Sequence, residues 1–145
     1  MLTVILTAVG LTLVCVLIHY EVLSHLDRKR DLAPKHASFK VAIGLIGALV
    51  AHVVEIVLFA LAYMALTRID GMGSIVGKMD HQLRDHIYFS FTTFSTLGYG
   101  DLVPMGPIRI LVGLESLLGL VLITWTASFL FLEMQKRWNF EEEGD

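Results

Sequence analysis

The chain has 145 residues, of which 55% are hydrophobic and only 17% charged, with a mean hydropathy of +0.69. A soluble domain of this size rarely combines those values, so composition points to one domain that lives in a membrane. The net charge of −3 comes with no basic stripe, zinc-ligand set or recognition motif suited to nucleic acid, and a lone cysteine, Cys15, rules out an internal disulfide.

Leu2 to Tyr20 is the first apolar run, interrupted only by threonines, Gly10 and His19. It has neither a basic leading region nor a small-residue cleavage site after it. It therefore reads as a retained transmembrane helix within 1–26 rather than a removed signal. Residues 27–40 form a basic linker with Arg28, Lys29, Arg30, Lys35 and Lys40, broken by Pro34. The second run, Val41 to Leu66, spans about 39 Å as a helix, more than the ~30 Å hydrocarbon core, and is expected to tilt. It carries His52 and Glu55, three apart on one helical face, read either as a mutually satisfied pair or as a proton-sensing one.

Residues 67–80 read as a surface loop. Their glycine-rich stretch, Gly71 to Gly77, lacks the preceding strand and following Lys-Ser/Thr pair of a phosphate loop. Asp80 is a candidate N-cap for a short helix over 81–95. That helix is apolar through Ile87, Tyr88, Phe89, Phe91 and Phe94 but too short to cross, which suits a re-entrant segment. Pro104 and Pro107 mark the return to the surface. The third spanning run covers 108–132, with Arg109 at its start and Glu115 inside it, and 133–145 is an acidic tail expected to fray.

Between the short helix and the third run stands Thr96-Leu97-Gly98-Tyr99-Gly100-Asp101. Glycines at alternate positions let the backbone alternate in handedness, so that successive carbonyls turn toward one axis as they cannot in a strand. A row of such carbonyls, begun by a threonine hydroxyl, can replace the water shell of a monovalent cation. The stretch closely resembles the potassium-channel signature, and the resemblance extends over about residues 40–132. It implies an all-α membrane protein with outer helix 41–66, extracellular loop 67–80, pore helix 81–95, filter 96–100 and inner helix 108–132. One pore unit per chain implies a homotetramer, because a single copy would leave filter carbonyls unpaired.

By the same resemblance, K+ is coordinated by the hydroxyl and carbonyl of Thr96 and the carbonyls of Leu97, Gly98 and Tyr99, with Gly100 completing the outer turn. Asp101 at the mouth either concentrates cations or stabilises the turn. Tyr88 and Phe89 stand where the family often has a tryptophan pair, and the Tyr99 ring is expected to pack on the pore-helix aromatics. Thr92 replaces an acidic partner for Asp101 found in some two-helix channels. The hydroxyls of Ser90, Thr92, Thr93 and Ser95 are expected to support the filter from behind, and Glu115 to bond to pore-helix hydroxyls or to His52. Gly119 falls at the family's hinge position and reads equally as a small residue for close packing. Leu120, Ile123, Thr124, Ala127 and Phe131 share one stripe, expected to line the conduction path, with Phe131 a hydrophobic constriction.

Lysine and arginine placement gives the orientation. Seven lie in the linker and tail and four over residues 67–109, with none ahead of the first helix. Positive-inside logic sets the linker and C-terminus in the cytoplasm and the N-terminus outside, in a multi-pass protein of the cytoplasmic (inner) membrane. No helix carries arginines at three-residue spacing, which argues against a voltage sensor. The expected protein is a passive potassium channel, not an enzyme, with potassium ions and lipid as its partners and no cofactor. The alternative is a non-conducting subunit that modulates another channel. Candidate pH sensors are His19, His25, His36, His81 and His86. A rival reading, a membrane metalloprotein using His19, His52, Glu55 and Glu115, lacks the two copies of a Glu-x-x-His motif, and no stoichiometric metal is expected.

Overall fold

The computed structural model describes the backbone of residues 1–28 and 37–142, and side chains over 1–28 and 41–135. Most of the basic linker, His36 and the last acidic residues lie outside the described residues. Among the described residues, four α-helices and a two-stranded ribbon follow one another: α1 (Leu2–Arg28), α2 (Ala37–Leu66), β1 (Ser74–Gly77), α3 (Leu83–Phe94), β2 (Leu102–Met105) and α4 (Arg109–Glu142), the last entered through a 3-10 turn at Gly106–Ile108. Among the described residues, α1, α2 and α4 contain stretches long and apolar enough to cross a membrane. The fold is therefore that of an all-α membrane protein.

Helix α4 runs ten residues past the expected end of the inner helix at Leu132. The segment from Glu133 is rich in good helix formers and meets no glycine or proline before Gly144, so nothing in it stops the helix. Over those ten residues the acidic tail is helix and not coil. Helix α3 begins two residues later than expected. Asp85 supplies the cap instead of Asp80: its Oδ2 accepts the Gln82 N–H at 3.3 Å and the Asp80 N–H at 2.9 Å, while Asp80 pairs with Arg84.

The loop ahead of α3 is also more ordered than its composition suggests. Ser74–Gly77 pairs antiparallel with Leu102–Met105, Gly77 opposite Leu102. Gly77 sits at φ +144°, and a Cβ there would overlap the Asp101 carbonyl and come within 2.7 Å of the Leu102 side chain. This close approach, which only glycine permits, joins the strands that enter and leave the α3 region.

A single apolar cluster runs through the molecule, with Phe59 and Tyr63 from α2, Phe89 and Phe94 from α3, and Leu111, Leu118 and Leu122 from α4. On α4 the buried stripe is Leu111, Glu115, Leu118, Leu122 and Thr126, at helical spacing. Helix α1 presents Val4, Ala8, Cys15, His19 and Leu23 to α2 and α4, and leaves Leu6, Leu13 and Leu17 exposed.

Candidate functional site

Helix α3 ends at Phe94, and the chain turns at once into the signature stretch. The Ser95 N–H donates to Phe91 O at 3.1 Å, the Thr96 N–H to Thr93 O at 2.9 Å and the Gly98 N–H to Thr92 O at 3.0 Å. The last carbonyls of α3, which a helix leaves without intrahelical partners, thus fasten the following segment. From Ser95 (φ −75°) the sign of φ alternates: Thr96 stands at +59°, Gly98 at +50° and Gly100 at +79°, while Leu97 and Tyr99 keep negative φ. This is the alternation that turns successive carbonyls to one side. It begins one step earlier than the glycines alone suggest, at a threonine.

On this single chain residues 95–101 are all exposed, with Leu97 56% and Tyr99 67% accessible. The Tyr99 ring is thus not covered by the aromatics of its own α3. Phe89 is buried and packs edge-on against Tyr63, with ring centroids 5.1 Å apart. Tyr88 donates its hydroxyl to Asp101 Oδ2 at 2.9 Å. Asp101 therefore has its partner one helix away, from a residue read in the sequence as an aromatic prop. That hydrogen bond, added to a smaller effect of burial, raises the Tyr88 phenol above its ordinary value.

Behind the segment, Glu115 is fully buried between three helices. Its two oxygens contact the Tyr63 hydroxyl of α2 and the Ser90 hydroxyl of α3, and Ser90 Oγ also reaches Ile56 O at 2.8 Å. The expected pore-helix hydroxyl is Ser90; His52 takes no part. Thr92, whose hydroxyl was expected to brace the filter, turns it back to Phe89 O at 3.0 Å. The support from Thr92 and Thr93 comes instead from their carbonyls. Tyr63 was missed by sequence reasoning, although a phenol inside an apolar span signals the need for a partner.

Gly119 of α4 lies against the end of α3. A Cβ there would overlap the Phe94 carbonyl oxygen and stand 2.8 Å from its carbon. Close packing accounts for this glycine. Leu120, Ile123, Thr124, Ala127 and Phe131 lie on the exposed side of α4, away from its buried stripe. The Thr124 hydroxyl is shared between Leu120 O (2.9 Å) and Val121 O (2.8 Å) of its own helix.

A second polar cluster lies apart from the signature stretch. His52 and Glu55 do bond each other, and they are joined by His19 of α1 and Thr126 of α4. Of the other histidines, His86 is buried and donates its Nδ1–H to Gln82 O at 2.9 Å, whereas His25 and His81 are exposed.

A family model described as "Ion channel" matches residues 49–136, from α2 through the signature stretch into α4. Over 106 residues the chain is 37% identical to the inward rectifier potassium channel Kirbac3.1 of Paramagnetospirillum magnetotacticum, covering 72% of this chain and 33% of that protein. The chain thus spans about a third of the length of the curated relative it matches.

Proposed function

Since the chain belongs to the ion-channel family and is a multi-pass membrane protein, we propose that it is a potassium-selective channel, passive and homotetrameric, with Thr96–Gly100 as its filter. The observation that carries this reading is the alternating backbone of Ser95 to Gly100 at the exposed end of a short helix buried among spanning ones. Thr96 gives hydroxyl and carbonyl, and Leu97, Gly98 and Tyr99 give carbonyls, to a K+ ion stripped of water. Four chains around one axis supply the oxygens that one chain lacks, and cover Leu97 and Tyr99. The α3 helix directs its C-terminal dipole toward the inner cavity and favours a cation there.

Asp101, held by Tyr88, concentrates cations at the mouth. The exposed side of α4, with Leu120, Ile123, Thr124, Ala127 and Phe131, lines the path below, and Phe131 narrows it by an apolar ring that sheds water. The linker and C-terminus lie in the cytoplasm and the N-terminus outside, by the distribution of Lys and Arg. Conduction of this kind needs no cofactor.

The test is reversal-potential measurement on purified protein in planar bilayers with K+ on one side and Na+ on the other. A potential close to the K+ equilibrium value is expected, together with a four-chain mass in native mass spectrometry. Equal passage of Na+, or a monomeric mass, overturns the reading. A folded tetramer with no current of its own would move it to a modulatory subunit.

A further inference from the structure

The cluster beneath Phe94 joins all three spanning helices and has no part in the proposed conduction path. His19 of α1, His52 and Glu55 of α2, and Thr126 of α4 are all buried. They close a ring of four contacts: His19 Nδ1 to Glu55 Oε1 at 3.0 Å, His52 Nδ1 to Glu55 Oε2 at 3.0 Å, His52 Nε2 to Thr126 Oγ1 at 3.2 Å and His19 Nε2 to Thr126 Oγ1 at 3.1 Å. Four hydrogen bonds need four hydrogens. A carboxylate supplies none, a hydroxyl one, and two neutral imidazoles one each, so the ring is one short. A cation completes it.

We propose that His19, His52 and Glu55 form a binding site for one divalent transition-metal ion, such as zinc, with Thr126 orienting both imidazoles. One ligand atom from each of the three residues lies within 4.8 Å of the others, close enough to converge with small side-chain rotations. The 3.0 Å nitrogen–oxygen separations are near the ~3.3 Å edge of a tetrahedron built on zinc bonds of 2.0–2.2 Å. Two imidazoles and a carboxylate are a donor set that zinc, cobalt, nickel and iron accept.

The outer contacts fit as well. Thr126 Oγ1 has two lone pairs and receives an Nε2–H from each ring, which turns both Nδ1 lone pairs toward Glu55 and fixes the tautomers. Trp125 beside His19 (5.4 Å between centroids) and Phe94 beside His52 (5.6 Å) wall the site with aromatic surface. A search for paired Glu-x-x-His motifs overlooks this site, because a single ion needs no duplicated motif and Glu115 is bound elsewhere. The ion would fasten α1, which precedes the family-matched residues 49–136, to both helices of the pore unit.

The test uses the full chain, purified in detergent, stripped with chelator, incubated with Zn2+ or Co2+ and freed of excess ion. About one ion per chain by elemental analysis is expected, with visible Co2+ bands of a four-coordinate site and a melting temperature raised by Zn2+. His19→Ala and Glu55→Gln should each lose the ion and the thermal shift. Thr126→Val should keep the stoichiometry at saturation and weaken affinity roughly 10- to 100-fold, as loss of an outer-sphere partner does. A folded native chain that retains no ion overturns the proposal and leaves a ring closed by a proton. Ion retained equally by the His19→Ala and Glu55→Gln chains also overturns it. None of these readouts requires conduction, so the result is separate from the channel reading.

Discussion

Thr96 is a β-branched residue held at φ +59°, where side chains branched at Cβ rarely sit. Such strain persists only where the surroundings enforce it, and here the enforcing contacts are the hydrogen bonds from Thr96 and Gly98 to the last carbonyls of α3. Gly98 needs the same half of conformational space. An added Cβ would meet nothing within 4 Å in its own chain, so the penalty of Gly98→Ala is one of backbone alone, ~1–2 kcal/mol per subunit. Summed over the four subunits of the proposed channel, that is expected to abolish K+ current or selectivity, read in the same bilayer experiment. At Glu115, replacement by Ala strands the Tyr63 hydroxyl in a buried site. A loss on the order of 1–3 kcal/mol is expected and visible as a lowered melting temperature, while Glu115→Gln should lose less. The Tyr88–Asp101 contact carries its own pH signature. A phenol whose pKa rises on folding binds its proton more tightly when folded, so its stabilisation is present below the ordinary value of 10.0 and fades as pH climbs through the raised one. Phenolate absorbance assigned to Tyr88, by difference from Tyr88→Phe, should appear at higher pH than that of free tyrosine, and Asp101→Ala, which leaves no acceptor, should shrink the delay.

Among the elements, α3 and α4 meet closely, because the Phe94 carbonyl occupies the space a side chain at Gly119 would need. Gly119→Ala is expected to push the two helices apart at a cost of ~1–3 kcal/mol, lowering melting temperature and the yield of the proposed tetramer. A glycine acting as a hinge alone would tolerate the methyl group with assembly intact, so size-exclusion profile and current separate the two roles. The three spanning runs and the short helix were legible in the sequence because length and apolar content decide them. The signature stretch was legible because glycine spacing carries its backbone geometry. The ribbon was not, since neither Ser74–Gly77 nor Leu102–Met105 shows a strand's alternation for more than four residues, and Pro104 argues against one; pairing with each other is what makes them strands. The end of α4 was not legible for the opposite reason: its charge suggests a fraying tail, whereas helix propensity continues through it. Side-chain partnerships were the least legible. That Tyr88 serves Asp101, and His19 joins His52 and Glu55, depends on distances across 13 and 36 residues that no local pattern encodes.

At the scale of the whole molecule, one chain exposes the segment that defines it. Leu97, Tyr99 and the apolar side of α4 face outward, a distribution that suits burial by neighbouring copies rather than by lipid alone. Cross-linking of cysteines introduced at Ile123 in a chain whose Cys15 is replaced by Ala should join adjacent subunits if that face surrounds an axis, whereas a lipid-facing position would stay unlinked. Helix α4 has 34 residues, or about 51 Å at 1.5 Å each, well beyond a ~30 Å hydrocarbon layer. Its first third is wedged against α3 at Gly119, and its length leaves the far end free to extend past such a layer. That makes it a lever pivoting on the end of α3: over the roughly 35 Å from Gly119 to Glu142, a tilt of about 5° sweeps the distant tip by ~3 Å. In the proposed channel, a modest pull on that arm, by a ligand, a lipid headgroup or another protein, would have the leverage to widen or shut an apolar ring at Phe131.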